Sequence, residues 1–409
     1  MSLIVLQTLG TRGDVQPFLA LACGLRDAGL PVRLATAPRF QAAIEAEGLA
    51  FAPLPGDLLE LIDTPQGRAA IAGRHRLLAT LRLLRGRGPM FRALLEAQWQ
   101  AAQGASLLVC HPKALGGAHI AERLSIPCFV ALPLPALAPT RAFPSPLLPF
   151  AELGPLNRAS HALMLRAADR LARVPLRDWR ARRLGLPPAG RGAAPAGVLQ
   201  AYSPALLPRP ADWDARVHVT GAWVMPARPW SPPAALAAFL AAGPPPVYLG
   251  FGSLPAEDAA RMGALVAEAL ALAGQRGVLA TGWGGLALAA PRPGLHVIEE
   301  APHGWLFPRM AAVVHHGGAG TTDAGLRAGR PSVLCPVFGD QPFWGRRVQA
   351  LGAGPAPIPY RALTAPRLAA AIREAVGHPA FAAAAAQLAA RMAEEDGVAE
   401  AIRILRPTL

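Results

Sequence analysis

Apolar residues in this chain fall into short unbroken runs, separated by glycine and by stretches of helical spacing. "SLIVLQTL" reads as a strand buried on both faces, followed by Gly10 and Gly13. From Val15 to about Ala28 the apolar side chains recur every three to four residues and stop at Gly29. "PVRLAT" is a second strand, "RFQAAIEAEG" a helix ending at Gly48, and "LAFAPL" a third strand. "ASLLVC" and "IPCFVALP" read as further strands of the same sheet. Two long basic helical regions, Arg68–Trp99 and Asn157–Arg183, interrupt the series. Strand and helix in alternation predict a parallel sheet with right-handed crossovers.

A passage rich in Pro and Trp, from "LPPAGRGAAPAG" through "AAGPPP", contains the short strand "VLQAYS" and otherwise little periodicity. It marks the connection between domains. A second α/β series then starts at "PVYLGFGS" and runs through the strands "GVLAT", "LHVIEE", "AAVVHH" and "PSVLCPV", closed by Ala-rich helices. The predicted division is an N-terminal domain over 1–205, a connection over 206–245, a second domain over 246–390, and a last helix over 391–409 packing back on the first domain. The fold class is α/β, two doubly wound Rossmann-like domains facing across a crevice.

Length supports this, since 409 residues exceed one ordinary core. Charge is uneven. Of a net charge of +14, residues 1–200 carry +11, with 23 Lys and Arg against 12 Asp and Glu. That half could meet an anionic membrane surface, or consist of solvated helices in an Arg-rich chain whose only lysine is Lys113. No nucleic-acid module or aromatic platform accompanies the charge. Cys23, Cys110, Cys128 and Cys335 are scattered without metal spacing, which predicts buried thiols. The N-terminus lacks a basic leader, and no apolar stretch is long enough to span a membrane. The expected location is cytoplasmic, peripheral at a membrane if the basic half binds one.

Two segments carry candidate chemistry. In "VVHHGGAGTTDAGLRAGRP" a strand enters a Gly-rich loop and then a helix. Such a loop brings backbone N–H groups and a helix N-terminus to an anion, with His316, Thr321 and Thr322 as further donors. The same pattern also serves as a plain tight turn. "FGDQPFWGRRV" places Asp340 and Gln341 after a strand, where they suit sugar hydroxyls; Asp340 also suits a helix N-cap. In "GTRGDVQP" Asp14 is either the cap of the first helix or a base facing the crevice.

Taken in order, "GTRGDVQP", "HPKALGGAHIAE", "PTRAFPSPL", "GFGS", "TGWGGL", "PHGWLFPRMAAVVHHGGAGTT" and "FGDQPFWGRRV" span residues 10 to 348. The combination resembles the family-1 nucleotide-sugar glycosyltransferases of the GT-B fold, in particular bacterial and fungal sterol or lipid glucosyltransferases and glycopeptide-antibiotic glycosyltransferases. The resemblance implies that His316, Gly318, Ala319, Gly320, Thr321 and Ser253 hold a donor diphosphate, and that Asp340 and Gln341 hold the donor sugar. Pro302 and His303 match the nucleobase region, with Glu300 where plant members carry a stacking Trp. Asp14 matches the family's base, in the G-D-x-x-P form. Arg12, His111, Trp283 and Trp344 are candidates for lining the donor or acceptor pocket, with a helix start as the alternative for His111 and plain packing as the alternative for Trp283 and Trp344. The implied reaction is inverting transfer of a hexose, from UDP-glucose, to a hydroxyl of a small lipophilic or sterol-like acceptor. It needs no metal and no cofactor beyond the nucleotide sugar as co-substrate. A nucleotide-sugar epimerase and a dTDP-deoxysugar transferase remain alternatives on the same fold.

Overall fold

The computed structural model describes residues 2–56, 88–252, 256–282, 286–288 and 290–409. Ser253, Trp283 and the basic stretch up to Arg87 lie outside the described residues. The first domain comprises β1 (Leu3–Gln7), α1 (Arg12–Asp27), β2 (Val32–Thr36), α2 (Gln41–Glu45), β3 (Ala50–Pro53), α3 (Gly88–Ala101), β4 (Ala105–Cys110), α4 (Gly117–Leu124), β5 (Cys128–Leu132), α5 (Asn157–Trp179), β6 (Gly197–Gln200) and β7 (Val217–Val219). After α6 (Ala234–Ala241) the second domain follows. It holds β8 (Val247–Gly250), α7 (Ala256–Ala273), β9 (Gly277–Ala280), β10 (Leu295–Ile298), α8 (His303–Leu306), β11 (Ala312–His315), α9 (Ala319–Arg327), β12 (Ser332–Leu334), α10 (Gln341–Ala350), α11 (Ala365–Gly377) and α12 (Pro379–Ala393). The last helix is α13 (Gly397–Leu405).

Strands pair in parallel throughout, in the orders β3-β2-β1-β4-β5-β6-β7 and β10-β9-β8-β11-β12. Each sheet is covered on both faces, which is why its strands are continuous apolar runs rather than alternating ones. In β1, Ile4 and Leu6 enter the core beneath α1 and α13, while Val5 enters the core beneath α4. In β11, Ala312 and Val314 face α7 and α11, and Val313 faces α8. All four cysteines are free and buried.

Three features differ from the sequence pattern. Helix α1 begins at Arg12, three residues before the apolar periodicity, because Thr11 takes the N-cap position. Strand β7 sits inside the Pro- and Trp-rich passage, so the first sheet continues past residue 205 to Val219. That passage also does more than connect. Tyr202, Leu206 and Trp213 share a buried core with Leu334, Trp344 and Met392 of the second domain. Among further links, the Ser203 hydroxyl donates to Glu395 at 2.6 Å, and the Arg346 guanidinium donates to the Phe150 carbonyl at 2.8 Å.

The chain returns to the first domain at its end. Asp396 caps α13 by accepting from the Ala399 N–H at 2.9 Å. Ala401 and Leu405 then join the core that contains Phe18, Leu21 and Trp223. Gly397 makes this docking possible, since a Cβ there would lie 2.5 Å from the Ala222 carbonyl oxygen and 2.6 Å from that of Gly221. The Gly397→Val substitution forces α13 away from this backbone and is expected to cost about 1–3 kcal/mol. The loss should appear as a lower urea midpoint at unchanged slope; an unchanged midpoint would mean that the close approach carries no stability.

Candidate functional site

Strand order reverses between β1 and β4 in the first sheet, and between β8 and β11 in the second. At such a point the loops leaving neighbouring strands diverge to opposite sides and open a crevice at the C-terminal edge of the sheet. The four loops at the two reversal points carry Thr8 to Thr11, His111 with Lys113, Gly252, and His316 with Gly317. Sheet order alone therefore brings together residues separated by about a hundred positions.

Asp14 is the third residue of α1, and Thr11 is the N-cap. The sequence reading made Asp14 either a cap or a base; the structure gives its two oxygens different partners. Oδ2 accepts from the Thr11 N–H at 2.8 Å and from the Thr11 hydroxyl at 3.2 Å, closing a capping box from the inner side. Oδ1 turns away, 2.7 Å from Lys113 Nζ and 3.5 Å from His111 Nε2. Gly10 is required for this. Its φ of 142° suits glycine, and a Cβ on it would sit 2.0 Å from Asp14 Oδ2. Burial pushes the Asp14 carboxyl up, but the Lys113 and His111 charges and the Lys113 and Thr11 hydrogen bonds outweigh it, so the group stays below its ordinary value.

His111 is 4% exposed and follows β4 directly. Its Nδ1 accepts from the Lys113 N–H at 3.1 Å, so the neutral ring keeps its proton on Nε2, the atom facing Asp14. Burial, with a smaller push from Lys113 that Asp14 opposes, pulls its pKa down to about 4. The sequence left His111 between pocket and helix start; it belongs to the Asp14 cluster.

Across the crevice, His316 is half-buried against Gly252 and Gly318; a Cβ on Gly318 would stand 2.7 Å from His316 Nε2. Its Nδ1 is buried without a hydrogen-bond partner among the described residues. Burial brings its pKa to about 4, so the ring is neutral at pH 7. His315 is fully buried and accepts from the Gly317 N–H at 3.0 Å, fixing the turn that follows. Helix α9 starts after Gly318 with no side-chain cap. The first N–H to close on the helix is that of Thr322, on Gly318 O at 2.9 Å, leaving those of Ala319, Gly320 and Thr321 without a partner among the described residues. The Thr322 hydroxyl is spent on the same carbonyl, at 2.9 Å, which leaves Thr321 as the hydroxyl available to a ligand.

Asp340 occupies the N-cap position of α10 yet makes no capping hydrogen bond, contrary to the helix-cap reading. Its Oδ2 instead accepts from Trp344 Nε1 at 2.9 Å. Burial raises its pKa to about 6, and the charge of Asp14 adds to the rise, so the two carboxylates sense each other across the crevice. Gln341 is buried, and its Oε1 accepts from the N–H groups of Val337 and Phe338 at 2.7 and 3.1 Å. Its amide nitrogen keeps its donors free among the described residues. Trp344 is not a pocket wall. It is 1% exposed, packs edge-on to Tyr202 at 5.9 Å and holds Asp340. The i, i+4 spacing of Asp340 and Trp344 is the sequence signal that would have found this pair.

Pro302 precedes α8, and His303 stacks on Phe307 at a centroid distance of 4.2 Å. Burial, then Arg12 and His316, bring the His303 pKa to about 4. Arg12 Nη1 reaches Glu300 Oε2 at 2.7 Å, an exposed ion pair that ties the first loop to the rim of the second domain. Among the described residues no group of three or more His, Cys, Asp or Glu side chains is placed to hold a metal ion.

Comparison with known proteins agrees with this geometry. Residues 4–143 match the glycosyltransferase family 28 N-terminal domain, and residues 286–406 match the C-terminal domain described as erythromycin biosynthesis protein CIII-like. The chain is 37% identical to sterol 3-beta-glucosyltransferase UGT80A2 of Arabidopsis thaliana, over 98% of this chain and 64% of that protein. It is 36% identical to UGT80B1 of the same plant, over 98% and 67%. The chain thus spans about two thirds of the length of these relatives. Among solved structures, the glycotransferase of kitacinnamycin superposes with a TM-score of 0.72 at 20% identity, covering 100% of this chain and 99% of that one, a likeness of fold. By its sheets, its two facing reversal points and these relatives, the chain belongs to the family-1 GT-B glycosyltransferases, among which it resembles the sterol 3-beta-glucosyltransferases.

Proposed function

We propose that the chain transfers a hexose from UDP-glucose to a hydroxyl of a lipophilic, sterol-like acceptor, with inversion at the anomeric carbon. The observation that carries this reading is the division of labour at Asp14. One oxygen is locked as a cap, and the other is presented to the crevice opposite an uncapped helix start. The acceptor hydroxyl hydrogen-bonds Oδ1, which has lone pairs beyond the one facing Lys113. As its oxygen attacks C1, the proton passes to Oδ1 and the bond from C1 to the diphosphate oxygen breaks. The departing charge is taken up by the N–H groups of Ala319, Gly320 and Thr321, the Thr321 hydroxyl and His316, in the role a metal plays elsewhere. Asp340 and the Gln341 amide orient the sugar through its hydroxyls, with the nucleobase near Pro302 and His303. Attack from the side opposite the diphosphate turns an α-linked donor into a β-glycoside. The acceptor class follows the activity for which the sterol 3-beta-glucosyltransferase relatives are named.

Asp14→Asn keeps a cap acceptor but loses the base, and kcat should fall by roughly 10²- to 10⁴-fold. Gly10→Ala should lower kcat comparably while leaving UDP binding intact, because it displaces Asp14 and not the donor loop. Mass spectrometry of a donor and sterol screen, followed by the anomeric NMR coupling of the product, reads both. Transfer by Asp14→Asn at the parent rate sinks the base assignment, and absence of any nucleotide-sugar binding sinks the reading as a whole.

The pH dependence is separate. Asp340 accepts most strongly from a sugar hydroxyl when it is ionised, and its free-site pKa is about 6. Profiles of kcat/KM report free-enzyme groups. The rate should therefore fall as pH drops through about 6, whereas Asp14, held below its ordinary value, titrates in more acid solution. Asp340→Asn should be slower and lack the limb near pH 6; a limb that survives the substitution belongs to another group.

A further inference from the structure

Helix α5 has two apolar faces, and only one is used. His161, Leu176 and Trp179 are buried and anchor it to the first domain. On the other side Leu163, Leu171 and Val174 are 62, 48 and 78% exposed. At about 100° per residue these three project within an arc of about 80°, with the exposed Ala167 between them. Arg166, Arg170 and Arg177 project along one edge of the stripe, and no carboxylate pairs with them among the described residues. Arg173, on the same edge, pairs with Asp169 at 2.7 Å. Leu156, 62% exposed, extends the stripe into the turn before the helix.

The stripe also leads toward the crevice. Leu147 and Phe150 are exposed in the segment before α5, and the Phe150 carbonyl is held by Arg346 of α10, the helix that begins with Gln341.

We propose that this face of α5 docks on an anionic lipid leaflet, with Leu163, Leu171 and Val174 in the headgroup boundary and the arginine edge on lipid phosphates. Charge selects this occupant. A second copy packed antiparallel on this face would set one arginine edge against another, whereas an anionic surface complements it in any orientation. None of the described helices is long and apolar enough to cross a membrane, so contact is along the surface. Docking gives a lipophilic acceptor a short path to the crevice. That purpose rests on the acceptor proposed above, but the docking itself is measured without turnover.

The test is co-sedimentation of the full chain with vesicles of phosphatidylcholine alone, and of phosphatidylcholine with phosphatidylglycerol. Binding is expected only with the anionic lipid and should weaken with salt. Arg166→Gln with Arg170→Gln should lower the partition roughly 20- to 30-fold. Leu163→Gln with Val174→Gln should also release the protein, while its urea midpoint and its rate on a detergent-dispersed acceptor stay at parent values. Negligible binding to both vesicle types, equal binding to both, or parent-like binding by both variants would overturn the assignment. So would a concentration-dependent dimer abolished by the Leu163→Gln, Val174→Gln variant, which would give the face to a second copy. Failure of the glycosyltransfer reading would leave the vesicle result unchanged.

Discussion

One carboxylate carries two obligations that would ordinarily conflict. A side chain that caps a helix is held by the backbone and is poorly placed to meet a substrate. Asp14 avoids the conflict by standing at the third position of α1 rather than at its cap. There, one oxygen reaches back to the Thr11 N–H and the other is left on the outer side. The cap hydrogen bonds fix the rotation of the carboxylate, so the exposed oxygen has a defined direction before any substrate arrives. Lys113 and His111 keep that oxygen ionised in a part-buried site. Their electrostatic support also lowers its basicity, so in the proposed role Asp14 would be a base that is always ionised rather than one that is intrinsically strong. Gly10 is the steric condition for all of this, because any side chain there would occupy the space of the capping oxygen.

The sheets were legible because parallel strands buried on both faces are written as unbroken apolar runs. The place of the candidate site residues was legible because His316, Asp340 and Asp14 each follow such a run, at the C-terminal edge of a parallel sheet. What escaped was of two kinds. The true start of α1 was hidden because Arg12 and Gly13 contribute no apolar periodicity, and a cap is fixed by a hydrogen bond rather than by a pattern. Strand β7 was hidden by its three-residue length within a Pro-rich passage. The packing of Tyr202 against Trp344 joins residues more than a hundred positions apart, and nothing local announces it. The pairing of Arg12 with Glu300 is of the same sort, since it depends on how one domain's first loop meets the other's rim.

Trp344 shows how the domain interface reaches the chemistry. Its indole is buried in the core that joins the two domains, and its N–H holds Asp340. The carboxylate expected to orient the donor sugar is thus fixed from behind by the interface itself. Asp14 faces the same crevice from the first domain, and its negative charge makes ionisation of Asp340 harder. Lys113, held against Asp14 at 2.7 Å, opposes that push, so burial is the larger reason that Asp340 resists ionisation. In the proposed reaction, the hydroxyls of a sugar set between the domains would give Asp340 the hydrogen bonds that burial denies it, and donor binding would ease its ionisation. Arg12 and Glu300, paired at the rim, tie the two domains together independently of that carboxylate.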